Sequence, residues 1–75
     1  MSYNDLNDIL GIISSDESNK AKTDNLKNIL NRYSASAIMQ ASYPDNTTTL
    51  VGLFRDNELG EEFNQYLQNR IIELN

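Results

Sequence analysis

Carboxylates are the side chains of this sequence whose chemistry and spacing could build an acid–base pair or a cation site. Glu58, Glu61 and Glu62 are their densest group. Glu58 and Glu62 lie four apart, which places them on one face of a helix. Two carboxylates held together can share a proton or grip a divalent cation. A calcium site gathers about six to eight oxygens, more than this trio supplies. Acids in the opening turns of a helix also have a plainer role, each favoured by ~0.3–1 kcal/mol at the positive end of the helix dipole. The trio is therefore read as helix-start charge that can face a basic patch on a partner. Asp16-Glu17-Ser18 lacks the Gly and terminal Glu that a calcium-binding loop needs at fixed offsets.

The other reactive classes are thin. The sequence has no cysteine and no histidine, which removes disulfides, thiolate and imidazole metal ligands and the commonest general base. No histidine is present to activate a serine, and Gly11, Gly52 and Gly60 are isolated, fitting no phosphate-cradling loop. No metal and no cofactor is expected. Lys20, Lys22, Lys27 and Arg32 form a basic run that reads as a solvated helix face. The alternative is a small-ligand site in which Lys20, Lys22, Arg32 or Arg55 meets an anion such as a nucleotide.

The elements that would carry these groups follow from periodicity. Over 56–75, Leu59, Phe63, Tyr66, Leu67, Arg70, Ile71 and Leu74 recur at steps of three and four, opposite Glu61, Asn64, Gln65, Gln68 and Asn69. That is an amphipathic helix, with Asp56 as its expected cap. Nearer the N-terminus, Ser2 or Asn4 can cap a first helix whose Tyr3, Leu6, Ile9, Leu10 and Ile13 share a face. Gly11 interrupts it at a cost of roughly 1 kcal/mol and suggests close approach of another element. Residues 14–18 read as a polar link. A second helix starts at Ser15 or at Thr23-Asp24, with Ala21, Leu26, Ile29, Leu30 and Tyr33 inward. Residues 1–33 then form a helical hairpin.

Residues 34–55 read as a β-hairpin. Ala35, Ala37, Met39, Ala41 and Tyr43 alternate with Ser34, Ser36, Gln40 and Ser42, with Ile38 among the latter. Tyr43-Pro44-Asp45-Asn46-Thr47 is a turn signal, and the β-branched, apolar run from Thr47 to Phe54 supplies the second strand. The expected fold is a small single α+β domain of order α-α-β-β-α, its hairpin packed on helices. The alternative is an all-α bundle, because Leu26, Ile29, Leu30, Tyr33, Ala37 and Ala41 also continue a helical stripe. In the hairpin reading Leu50 and Phe54 point one way, Val51 and Leu53 the other, so one strand is apolar on both faces. Such a strand calls for a cover, either the chain's own helices or another protein, including a second copy pairing edge to edge.

Totals bound the function. Seventy-five residues bury only about 60% of the surface that the unfolded chain exposes, so a partner chain is a natural support. The formal net charge is −5, and the second half is the acidic one: four bases and five acids up to Tyr33, two bases and six acids thereafter. A phosphate backbone would be repelled there, and no apolar run is long enough to span a membrane. The N-terminus lacks a signal-peptide pattern, which fits a cytoplasmic protein. The combination Val51-Gly-Leu-Phe54, Glu61-Glu62-Phe63 and Tyr66-Leu67 in the second half is similar to many short bacterial and phage proteins and marks no single family. The functional expectation is a non-enzymatic, acidic protein–protein interaction module, an inhibitor, adaptor or regulator of bacterial or phage origin. Its partner-binding residues are expected to be Leu50, Val51, Leu53, Phe54, Glu58, Glu61 and Glu62.

Overall fold

The computed structural model describes residues 1–45 and 47–72, with side chains through 71. Among the described residues there are five helices: α1 (Tyr3–Ser14), α2 (Asn19–Leu30), α3 (Ala35–Gln40), α4 (Leu50–Asp56) and α5 (Glu61–Ile72). None of the described residues forms a named strand. The expected α+β architecture is therefore corrected to an all-helical one. Leu74, placed above on the last apolar stripe, and Asn46 of the turn lie outside the described residues.

The correction has a local cause. Ser34 caps α3, its hydroxyl accepting from Ala37 N–H at 3.1 Å. Alanine is the best helix former, and the three-residue spacing of Ala35, Ile38 and Ala41 puts these buried residues on one side. Thr49 caps α4 in the same way, accepting from Gly52 N–H at 3.0 Å. At ~100° per residue, Leu53, Leu50, Phe54 and Val51 fall within an arc of about 160°. The residues that would crowd two faces of a strand thus occupy one side of a helix. Leu50, Val51 and Phe54 are buried within the chain itself, and Leu53 is half-buried.

What remains of the hairpin is its closure. Ser42 and Thr49 form an isolated antiparallel bridge, flanked by Tyr43 N–H donating to Thr48 O at 2.9 Å and Leu50 N–H donating to Ala41 O at 3.0 Å. Inside it, the Asp45 carboxylate accepts from the N–H groups of Thr47 and Thr48, both at 3.0 Å, and from the Thr48 hydroxyl at 3.1 Å. The β-branched threonines tie off a turn and cap a helix; they do not extend a ladder.

Helix α1 packs on α2, α2 on α5, and α3 on both α4 and α5. Their shared core takes Leu6, Ile9 and Ile13 from α1, Leu26, Ile29 and Leu30 from α2, Ile38 from α3, Leu50 and Phe54 from α4, and Phe63 and Leu67 from α5, with Leu59 inserted ahead of α5. Ser2 caps α1 and Ser18 caps α2. The start of α2 is thus neither Ser15 nor Thr23, and Thr23 is buried in mid-helix. Gly11 receives no close neighbour: a Cβ built there meets nothing within 4 Å.

Helix C-termini leave carbonyls unsatisfied, and side chains donate to carbonyls at the ends of three helices. The Lys22 ammonium donates to Ile13 O of α1 at 3.0 Å. Asn57 Nδ2 donates to Leu53 O of α4 at 2.8 Å. Arg70, read from the sequence as part of an apolar stripe, ties α5 to the end of α2 and the turn after it: its guanidinium donates to Leu30 O at 3.2 Å, which also accepts from Tyr33 N–H at 3.1 Å, to Tyr33 O, and to Asn31 Oδ1 at 3.3 Å.

Candidate functional site

The last helix begins later than its pattern suggests. Asp56, the expected cap, is the final residue of α4. The chain then runs through 57–60 to Gly60, whose φ of +93° is a left-handed conformation that glycine adopts without steric cost. The Gly60 carbonyl accepts from Asn64 N–H at 3.1 Å and opens α5. This four-residue step separates α4 from α5 and leaves a cleft of about 570 Å3 between them.

Buried Val51, Phe54 and Leu67 and half-buried Ile71 line the apolar floor of this cleft, and exposed Arg55, Glu58, Glu61, Asn64 and Gln68 line its rim. Phe54 is fixed from behind by Phe63, edge to face with ring centroids 4.8 Å apart. The floor therefore stands on the core and does not depend on a loop. Along the rim, two carboxylates outnumber one guanidinium.

The expected partner residues divide between these positions. Leu50 is fully buried away from solvent, and Val51 and Phe54 reach only the cleft floor. Leu53 is half-buried against the core. Glu58, Glu61 and Glu62 are all exposed, and Glu58 and Glu61 face the cleft. No sheet face or strand edge is present among the described residues to be covered, so the physical ground for docking or self-pairing through a sheet is gone. Asn64, Gln68, Leu67 and Ile71 were legible only as a solvated face and a core stripe. Gly60 immediately before Glu61 was the signal that a gap would open beside them.

The cations of the alternative site lie apart. Lys20 pairs with Asp24 at 3.8 Å across an exposed helical turn and Lys22 closes α1; Lys27, of the same basic run but outside that site, lies 5.4 Å from the centroid of the Tyr66 ring. Arg32 approaches Asp5 at 3.5 Å, and Asp5 also accepts from the Tyr33 hydroxyl. The Tyr33 hydroxyl, with smaller help from Ser2 and Arg32, holds the Asp5 carboxyl below the usual carboxylate range. Arg55 stands separately on α4 at the cleft rim.

Two further polar groups are perturbed. The N–H groups of Thr47 and Thr48 hold the Asp45 carboxyl below its ordinary value. Burial pushes the Tyr43 hydroxyl up, and that hydroxyl donates to Leu6 O at 2.9 Å inside the core. Both serve the fold. Among the described residues, no three histidine, cysteine, aspartate or glutamate side chains group as metal ligands, and no helix is long and apolar enough to cross a membrane. No protein-family model, no curated protein and no solved structure matches the chain.

Proposed function

We propose that this chain is a non-enzymatic protein-binding module that takes a basic, partly apolar segment of a partner protein into the cleft between α4 and α5. The observation that carries the reading is the pairing of a preformed apolar floor with a rim bearing Glu58 and Glu61. A cleft of this volume lies in the range of ligand-binding sites. Its floor supplies the dry contact on which interface energy concentrates, and its carboxylates supply attraction and register for a cation. Arg70, the other base of the acidic half, is already engaged with Leu30 O and Tyr33 O. The roles open to such a module are those of inhibitor, adaptor or regulator. An anion site assembled from Lys22 or Arg32 would first have to break their contacts with Ile13 O and Asp5.

The test compares the chain with its Glu58→Lys/Glu61→Lys/Glu62→Lys variant. All three residues are exposed, but Glu61 and Glu62 lie in the first turn of α5, so the variant should lose about 1–2 kcal/mol and is compared at a temperature where its far-ultraviolet circular dichroism matches that of the unaltered chain. A partner captured from the native host should bind the unaltered chain with an affinity that falls as salt rises, and should be lost by the variant. Equal binding by both chains would refute the proposal.

A further inference from the structure

The cleft has a direction. Arg55, Glu58 and Glu61 lie at the end where α4 passes into α5, Asn64 stands about one turn along α5, and Leu67 and Ile71 lie about two and three turns along. From Glu61 to Ile71 the chain rises ~15 Å. The charged side chains thus gather at one end, with Phe54 beneath them, and the far end carries Leu67 and Ile71 with the Gln68 carboxamide between them.

We infer that the occupant of this cleft, given the docking function proposed above, is an α-helical segment of a partner protein with a lysine or arginine at one end and large aliphatic side chains two to three turns away. Recognition of an extended segment typically works by adding a strand to a sheet edge, and the described residues offer no strand. An extended polyproline-type segment docks on an aromatic-lined groove, and Phe54, the aromatic side chain lining this cleft, is only 2% exposed; the arrangement instead suits side-chain contact between helices, in which an amphipathic helix presents anchors at i, i+3, i+4 and i+7. About ten residues of helix span the ~15 Å available.

A second copy of this chain suits the cleft poorly. Among the described residues, the exposed large hydrophobic ones, Tyr3, Leu10 and Met39, lie on α1 and α3, and neither helix contains a lysine or arginine. Its net charge of −5 also opposes approach to a carboxylate rim. The partner must be a chain of the opposite sign.

The experiment is a selection from a displayed library of random peptides with no imposed helical pattern, panned on the full chain alone, after which every selected peptide is measured on the full chain and on Glu58→Lys/Glu61→Lys. Selected peptides should carry a lysine or arginine separated from leucine or isoleucine by two to three turns. Their Kd should rise about tenfold on Glu58→Lys/Glu61→Lys and again when the cation is moved to within one turn of the aliphatic residue. Peptides that need Glu58 and Glu61 but carry proline or lack helical spacing would overturn the helical occupant while leaving the docking function standing. Binders indifferent to both glutamates, or no binders, would overturn both. A sedimenting mass of two chains that falls to one in Glu58→Lys/Glu61→Lys would assign the cleft to a second copy and overturn the inference.

Discussion

Arg70→Met tests how α5 is tied to the rest of the molecule. Methionine keeps most of the aliphatic stem and removes every donor. Lost are the bonds to Leu30 O at 3.2 Å, to Tyr33 O and to Asn31 Oδ1 at 3.3 Å, together with the bond to the Tyr66 hydroxyl at 2.9 Å. Hydrogen bonds to a charged group contribute about 1.5–3 kcal/mol each when isolated. This guanidinium is half-exposed, so water replaces part of what is lost and the set acts as a unit. A net cost of about 2 kcal/mol follows, including ~0.3–1 kcal/mol for the cation at the α2 C-terminus. A chain of this size has roughly 4–11 kcal/mol in total, so the melting temperature should fall by about 8–16 °C. In urea, at a slope of ~1 kcal/mol/M, the midpoint should drop by about 2 M. Lysine keeps the charge but not the fork that spans two carbonyls, so Arg70→Lys should recover about half of the loss. Circular dichroism at 222 nm follows both transitions. A change below about 0.5 kcal/mol in Arg70→Met, the size of an ordinary surface substitution, would refute the assignment of Arg70 as the tie between α5 and the end of α2.

Gly11→Ala should raise stability by about 0.5–1 kcal/mol, because the added methyl meets nothing within 4 Å and alanine is the better helix former; a lower melting temperature would contradict this. Gly60→Ala should cost about 1–2 kcal/mol, since φ is +93° and the new Cβ would stand 3.3 Å from Asn19 Nδ2, and chemical denaturation should show it against an unchanged circular dichroism spectrum. Tyr43→Phe removes the donor to Leu6 O and should cost about 1 kcal/mol by urea titration. The same residue sets an alkaline limit. Its folded-state pKa is raised by burial, so its contribution is whole below the unfolded pKa and is lost as pH rises through the folded value. In acid the sign reverses for Asp5 and Asp45, both held below the carboxylate range. Their contributions are present above the unfolded value and lost as pH falls through the folded ones, and Asp45→Asn should flatten that acid limb of the melting curve.

The readable parts of this fold were those with one solution to their pattern. Ser2 with the Leu6, Ile9 and Ile13 face led to α1, and Phe63, Leu67 and the polar row from Asn64 to Asn69 led to α5. Asp45 after Pro44 marked a turn whose carboxylate the structure uses fully. The segment 34–41 reads either way and Thr47–Phe54 reads as a strand because the helices there are one to two turns long, too short for helical and alternating periods to separate. Their caps held the missing information: Ser34 stands three residues before Ala37, and Thr49 three before Gly52. The cleft was hidden for a related reason. Leu59 lies on the helical stripe of the sequence and is buried in the structure, so periodicity ran straight through the non-helical 57–60 step. Arg70 shows the opposite error, a charged residue on an apolar stripe whose backbone partners, Leu30 O and Tyr33 O, lie some forty positions away. Those no spacing rule can name.

The docking cleft is most directly tested by mapping amide chemical shifts in the 15N-labelled chain during titration with an alanine-based helix of about twelve residues that carries lysine in its first turn and leucines two turns on. The shifts should concentrate on Arg55, Glu58, Gly60, Glu61, Asn64, Gln68 and Ile71, leave α1 unmoved, and fade as salt is added. Shifts centred on the basic face of α2, spread over the surface without a focus, or absent at millimolar peptide would contradict a basic helix lying between α4 and α5.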